Sequence, residues 1–468
     1  MDWEHYIVKI NVKVTEIDLN KPLDKTNILS ASGTGFFICK NLILTCYHVV
    51  KYAVHIEIIY NQTNILKGQL VYIFPDDDLA IIKINENFDS IKIFDYKEIQ
   101  TKLRLNVLSI GFPLNNTNII ETKGIISGYR KSLLQTDATL NPGNSGGPSI
   151  IYDNKKWKVI GINVAKLKFD DVENTSLVIP YYRFNKYKKL IQINKSLINL
   201  IISNSIPSIF HSPTWNFNYQ LIKQEKLRSV LFQSIQNVKN SNIFIKNKIG
   251  IRISQLNSKN YLNKFFNIND ILLFINNNKI DINGFIKFDF FPEKIAVCDL
   301  YLWFVPGDEL NIVYIDSTNN QLKTTKVKLE YQMSNLIEIY NLVDFSTDKL
   351  HQYSKGIMPY FIENNDLILC IFTQEHYQNI SNLNITSLQV FKLLDRYLYN
   401  NDLFTVYLTS VNPNIYLRIT NPIIPIGDII IEINGKSFND YFSFIECIKE
   451  PIKMIKTIDN NIFLRAYG

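Results

Sequence analysis

The chain has 468 residues and a formal net charge of +7, from 50 basic and 43 acidic side chains. It is 46% hydrophobic and 13% aromatic, with only 17 glycines and 15 prolines. That length has room for about three domains, and the apolar content is enough for several cores. A charged fraction of 20% without a long basic block excludes a disordered tail and speaks against nucleic-acid binding as the main role.

The opening run Met1-Asp2-Trp3-Glu4-His5-Tyr6 carries acidic residues and no apolar core of leader length. No uninterrupted apolar run reaches the roughly 18 residues of a membrane span, so no membrane insertion is expected. Short strands then alternate with turns: Thr34–Cys39, Leu42–Thr45, His55–Tyr60, Leu79–Ile84, Leu105–Ile110, Ile119–Ser127 and Lys158–Val164. This is the texture of an all-β barrel protein. Ten of the 17 glycines fall in these first 180 residues, and their scarcity makes each one a candidate for a backbone requirement.

A more helical, basic stretch follows from about Tyr182 to Ser203. Its densest charge cluster, Arg183, Lys186, Lys188 and Lys189, reads as the solvated face of a helix. Beyond it the segments are rich in Ile, Asn and Phe, with a weak internal repeat. Asn269-Asp270-Ile271-Leu272-Leu273-Phe274-Ile275-Asn276-Asn277 parallels Gly427-Asp428-Ile429-Ile430-Ile431-Glu432-Ile433-Asn434-Gly435, each a turn, a strand and a second tight turn. Asparagine stands for glycine at both turn positions of the first copy, which its tolerance of positive φ allows. Two similar small domains are expected, about 206–330 and 331–468.

The five cysteines, Cys39, Cys46, Cys298, Cys370 and Cys447, are odd in number and lack metal-ligand spacing. Free thiols in a reducing compartment are the simplest reading. The six histidines do not cluster, so neither a metal nor another cofactor is expected.

The sharpest chemical signal is Asn141-Pro142-Gly143-Asn144-Ser145-Gly146-Gly147-Pro148. Three glycines bracket one serine in a chain that otherwise avoids glycine. A nucleophilic serine needs an exposed hydroxyl and inward-turned backbone N–H groups, and flanking glycines permit the tight turn that supplies both. It also needs a base. His48, at the end of the apolar run Leu44-Thr45-Cys46-Tyr47-His48-Val49-Val50, reads alone as a packed core histidine. The acids Asp76, Asp77 and Asp78 lead directly into Leu79-Ala80-Ile81-Ile82, which can hold a carboxylate at a barrel edge. Together the three segments follow the order His, Asp, Ser.

Ser32-Gly33-Thr34-Gly35-Phe36-Phe37-Ile38 and the His48 segment resemble the opening of chymotrypsin-fold serine proteases. Asp78-Leu79-Ala80-Ile81 and the Ser145 segment resemble, more narrowly, the HtrA/Deg family. Gly161-Ile162-Asn163-Val164-Ala165 looks like that family's strand beside the substrate, and Asn174-Thr175-Ser176-Leu177-Val178-Ile179-Pro180 like the strand closing its pocket. More loosely, Pro213 to Gln220, Leu227 to Leu231, Lys248 to Ile253 and Gly356 to Gln378 resemble the two PDZ domains of the plant Deg-type branch.

The resemblance implies a mainly β chain: a chymotrypsin-like double β-barrel at 1–182, a helical linker at 183–205, then two PDZ-like α+β domains at 206–330 and 331–468. It implies an ATP-independent serine endopeptidase acting on unfolded or damaged proteins. His48 would be the base, Asp78 its orienting acid and Ser145 the nucleophile. The backbone of Gly143 and Ser145, with Asn144 shaping the turn, would form the oxyanion hole. Thr139 would lie at the base of the specificity pocket, with Val164, Leu177 and Val178 shaping it for small or medium apolar side chains.

The PDZ carboxylate loop would be Trp215-Asn216-Phe217, with asparagine where the family usually has glycine, which favours assembly over carboxylate capture. The segment from Ser127 to Gln135 is shorter than the family's loop there. Homo-oligomers, trimers or multiples of trimers, are implied, with Trp3 and Tyr6 either in the contacts or in the core. A catalytically idle PDZ scaffold or holdase is the competing reading. A cytoplasmic location is expected, with nuclear or virion-packaged as alternatives.

Overall fold

The computed structural model describes residues 3–15, 19, 28–88, 103–130, 132–153, 155–166, 176–187, 208–233, 235, 248–256, 260–331, 361–364, 367–373, 376–377, 379–383, 385–398, 405–411, 427–459 and 462–464. The chain divides into two compact units. The first is residues 1–13, 30–50 and 55–332; the second is residues 14–29, 51–54 and 333–468. Each is described by itself.

In chain order the first strands are β1 (Ile7–Thr15), β2 (Ile28–Cys39), β3 (Leu42–Cys46), β4 (Ala53–Tyr60), β5 (Asn64–Lys67), β6 (Gln69–Phe74) and β7 (Leu79–Lys83). Together with β14 (Ser208–Ile209) they form one sheet in the order β14-β6-β7-β3-β2-β1-β4-β5. Strand β4 alternates, burying Ile56, Ile58 and Tyr60 while the residues between them are only partly buried. This is the period of two expected of a half-buried strand. Strand β7 is different: Leu79, Ala80, Ile81 and Ile82 are all fully buried, as a central strand covered on both faces must be.

Next come β8 (Asn106–Gly111), β9 (Ile120–Arg130), β10 (Leu133–Thr136), β11 (Pro148–Asp153), β12 (Lys156–Lys166) and β13 (Ser176–Pro180). They close into a six-stranded barrel, β10-β13-β12-β11-β8-β9. The stretch from Ser127 to Gln135 is a tight hairpin, Arg130 pairing with Leu133 across a left-handed Ser132. A short helix, Tyr181–Asn185, follows β13. The rest of the helical stretch expected up to Ser203 lies outside the described residues. Arg183 and Lys186 are not on a solvated face. Their side chains are 6% and 5% exposed and lie against Asp77, because a carboxylate far away in sequence gives them a buried partner.

A further sheet in this unit is built from β15 (Phe217–Leu221), β16 (Ile251–Leu256), β17 (Ile271–Ile275), β18 (Asn278–Lys279), β21 (Glu309–Asp316) and β22 (Gln321–Lys328), with a hairpin of β19 (Phe285–Lys287) and β20 (Lys294–Ala296) beside it. The apolar core of this sheet runs into that of the six-stranded barrel. Trp303 is at the junction, its ring centroid 4.5 Å from Phe291 and 5.2 Å from Tyr182.

The second unit carries β23 (Phe361–Asn364), β24 (Leu367–Ile371), β25 (Val406–Val411), β26 (Ile429–Ile433), β27 (Lys436–Ser437), β28 (Met454–Thr457) and β29 (Ile462–Leu464) in one sheet. Helices Ser387–Leu398 and Tyr441–Ile448 accompany it. The sequence repeat is a repeat of backbone geometry. Asn269 and Gly427 precede the paired strands at φ 80° and 93°. Asn276-Asn277 and Asn434-Gly435 turn them with φ positive at both positions, the turn that suits a two-residue hairpin.

Removing the Trp303 indole would leave a large void between barrel and sheet. Trp303→Ala is expected to destabilise the protein by about 3–5 kcal/mol, read from the midpoint of urea unfolding.

Candidate active site

Strands β3 and β7 pair antiparallel, with Cys46 opposite Leu79. The residues just beyond that end of the ladder are therefore neighbours: Tyr47 and His48 on one side, Asp78 on the other. Asp78 caps the turn Pro75–Asp77 in a left-handed conformation, φ 52°. Its carbonyl accepts from Tyr47 N–H at 2.9 Å. Its carboxylate accepts twice from His48, from the backbone N–H at 2.8 Å and at Nδ1 at 2.7 Å. Burial by itself would depress the imidazolium, but the hydrogen bond to Asp78 and that carboxylate's charge outweigh it. His48 is held above the ordinary histidine pKa.

Ser145 sits in the turn between β10 and β11, and every carbonyl from 141 to 145 is engaged. Asn141 O accepts from Asn144 N–H (3.0 Å), Pro142 O from Leu114 N–H (2.7 Å), Asn144 O from Gly147 N–H (3.0 Å) and Ser145 O from Thr34 N–H (2.9 Å). Gly143 O accepts from the Thr34 hydroxyl at 2.6 Å. In a trans peptide N–H and C=O point opposite ways, so fixing the carbonyls fixes the amides. The N–H groups of Gly143 and Ser145 have no backbone acceptor among the described residues. Gly143 is at φ 100°, where a Cβ would overlap the Phe112 carbonyl.

The serine turn is seated against the strand that leads into the short helix Tyr47–Val50 carrying His48. A Cβ on Gly146 would overlap the Thr34 carbonyl and the Thr45 hydroxyl and lie 3.0 Å from Cys46 N. Gly146 N–H donates to Asn163 O at 2.8 Å, and the Cys46 thiol donates to the same carbonyl at 3.3 Å. The Ser145 hydroxyl donates to Val164 O, and among the described residues it makes no hydrogen bond to His48.

Cys46, His48 and Asp78 place three donor atoms within 4.8 Å of one another. The His48–Asp78 pair is mutually bonded, and burial, with the Asp78 charge beside it, raises the Cys46 thiol well above its ordinary range, keeping it protonated.

Among the expected pocket residues, Thr139 is exposed, Val164 half-buried and Leu177 buried. Val178 belongs to the barrel core with Val107, Ile126 and Leu134. Trp215 is buried, its indole N–H donating to Val297 O at 2.9 Å. Asn216 is exposed, and its carbonyl accepts from the Asn260 side chain at 2.5 Å; Phe217 opens β15, half-buried. Sequence reasoning missed Thr34, Thr45 and Asn163, which hold the serine turn. Their only sequence signal is position, beside the glycine pair and within the strands flanking the site.

Residues 33–162 match the trypsin-like peptidase domain, the class that the barrel and the His48, Asp78 and Ser145 segments define. A serine protease DegP homolog of Plasmodium falciparum (isolate 3D7) is 30% identical over 187 residues, 37% of this chain and 21% of that protein. A probable periplasmic serine endoprotease DegP-like of Pseudomonas putida (strain F1) is 34% identical over 150 residues, 30% of each chain. The chain thus spans less than a third of the length of either relative. A solved HtrA-type protease, AlgW with a tripeptide, is 20% identical with a TM-score of 0.47, over 70% of this chain and 95% of that one. The chain therefore carries a trypsin-like peptidase domain similar to those of DegP-type serine proteases.

Gly146→Ala would force a methyl into backbone at a left-handed position. Unfolding in urea is expected to show a loss of about 2–4 kcal/mol.

Proposed function

We propose that this chain is an ATP-independent serine endopeptidase of the HtrA/Deg type, cutting unfolded or damaged polypeptides. The observation that carries the reading is the serine turn, in which five held carbonyls leave the Gly143 and Ser145 amides without a backbone acceptor among the described residues, next to a His48–Asp78 pair.

In this mechanism Ser145 Oγ turns from Val164 O to His48 and attacks the scissile carbonyl. His48 Nε2 takes the hydroxyl proton, while Asp78 accepts from Nδ1–H, fixing the tautomer and stabilising the imidazolium. The carbonyl oxygen becomes an oxyanion received by the two amides, a contribution worth on the order of 100- to 1,000-fold in rate per donor. His48 then protonates the leaving amine, and water repeats the sequence on the acyl-enzyme.

The side chain before the scissile bond would enter a pocket beside Val164 and Leu177, with no acid at Thr139. Small or medium apolar residues are favoured, and these are buried in folded proteins. Residues 206–330 and 331–468 are read as two PDZ-like domains, supported by their shared turn–strand–turn geometry. The first would serve assembly, because asparagine stands at position 216 where a carboxylate-binding loop usually has glycine. A trimeric assembly, or a multiple of trimers, is proposed, measurable by light scattering. Trp3 would not be its contact, being buried with its ring 5.4 Å from Trp157. The odd number and the scatter of the five cysteines support a reducing compartment such as the cytoplasm.

Unfolded casein and a serine-directed fluorophosphonate test the reading. Wild type is expected to cleave and label, and Ser145→Ala to label not at all and lose about 10⁶-fold in kcat. Absence of both from wild type would leave the idle scaffold, and cleavage after Lys or Arg would refute the pocket. The base must be neutral, so kcat/KM should rise with pH through the His48 pKa, above the ~6.5 of an ordinary histidine. Asp78→Asn should move that limb downward and cut the rate about 10⁴-fold.

A further inference from the structure

The residues just before Asp78 form a buried ion cluster that the mechanism above does not use. Asp77 has no exposed side-chain surface. One of its oxygens accepts from the Arg183 guanidinium, through Nε at 2.5 Å. The other accepts from Lys186 Nζ at 2.7 Å and from the Tyr187 hydroxyl at 2.5 Å. Asp76 completes the set: its carbonyl accepts from Arg183 at 3.2 Å and its carboxylate from Ser212 N–H at 2.7 Å.

Lys186 reaches further. Its ammonium also donates to Ser212 Oγ at 3.1 Å and to Leu302 O at 2.7 Å, in the turn of helix Val297–Trp303 that follows β20. An unbroken path of hydrogen bonds and backbone therefore runs from Leu302 through Lys186, Asp77 and Asp78 to His48.

The turn itself is weakly determined. It is three residues long, closed by the Asp78 N–H to Pro75 O bond at 3.1 Å, and ends at a left-handed non-glycine residue. Such a conformation persists only where the surroundings impose it. Burying two cations and a carboxylate gives little stability over apolar packing, so position is the better account of the cluster. Burial alone would raise the Asp77 carboxyl, but Arg183 and Lys186 hold it below the usual carboxylate range, so it stays ionised.

We propose that Asp77 and Lys186 are positioning residues: they anchor the Asp78 turn to the 297–303 segment and so set the geometry of the His48–Asp78 pair. The inference rests on the proteolytic reading for its kinetic readout but not for its spectroscopic one. In full-length protein carrying ¹⁵N-labelled histidine, the Nδ1–H resonance of His48, assigned by its loss in His48→Gln, reports the bond to Asp78 with or without turnover.

Lys186→Met, which leaves Asp77 paired with Arg183 and Tyr187, is expected to shift or broaden that resonance. It should also lower kcat per fluorophosphonate-titrated site by about 10- to 100-fold, with KM for a short peptide within about twofold. Asp77→Asn should do more. Should it fail to fold, Tyr187→Phe, which removes no charge, carries the same test beside Lys186→Met. An unmoved resonance in folded Lys186→Met, with kcat per titrated site unchanged, overturns the proposal. A resonance moved by Lys186→Met, where the wild type hydrolyses nothing, would sustain the anchoring while removing the protease.

Discussion

The site depends on the direction of five peptide groups. Residues 141–145 have little secondary structure of their own, yet each carbonyl is claimed by a donor. Thr34 has the largest share. Its N–H holds Ser145 O and its hydroxyl holds Gly143 O, while that same hydroxyl accepts from Phe112 N–H at 3.0 Å and the Thr34 carbonyl accepts from Thr45 Oγ1 at 2.8 Å. One threonine of the first sheet thus fixes the serine turn of the barrel and the strand leading to His48. Oriented amides of this kind need no reorganisation when charge develops, which is why such donors act strongly in a water-poor site.

The three acids at 76–78 divide the work by burial. Asp78 stays partly exposed and bonds the imidazole; Asp77 is enclosed with two cations; Asp76 lies between, tying the turn to Ser212. Aromatic packing supports this arrangement from below. Phe74 stacks on Phe210 at 5.6 Å and lies 4.3 Å from Tyr187, so the strand entering the turn and the segment carrying the cations share one apolar contact. Charge and packing converge on the turn Pro75–Asp77 and its cap Asp78.

Most of the site was legible because its demands are local. Glycines around a serine, a histidine after an apolar run and an acid before one each need only a few neighbours. The strands followed from alternation and turn residues for the same reason. What pattern could not supply is partnership across the chain. Arg183 and Lys186 read as solvated because their counter-ion, Asp77, is 106 residues from Arg183, and no periodicity links the two. Thr34 looked like one more residue in a strand, since its donors and acceptors are set by folding. Val178 was read toward a pocket, but strand alternation in a closed barrel turns it into the core.

The substitution of glycine by asparagine separates two demands that a scarce glycine can meet. At the paired turns, Asn269 stands where Gly427 does, and Asn277 where Gly435 does. A side chain at Gly435 would meet open space, and at Gly427 the end of the Gln389 side chain rather than backbone. At Gly435 the backbone requires positive φ and nothing more, which asparagine tolerates. At Gly143 and Gly146 positive φ coincides with backbone carbonyls that leave no room for a Cβ, and no other residue meets both conditions. Asparagine can therefore stand in the hairpin turns of both units, while the serine turn stays glycine for a reason of space. The glycines that mark this site are those whose replacement the neighbouring backbone forbids.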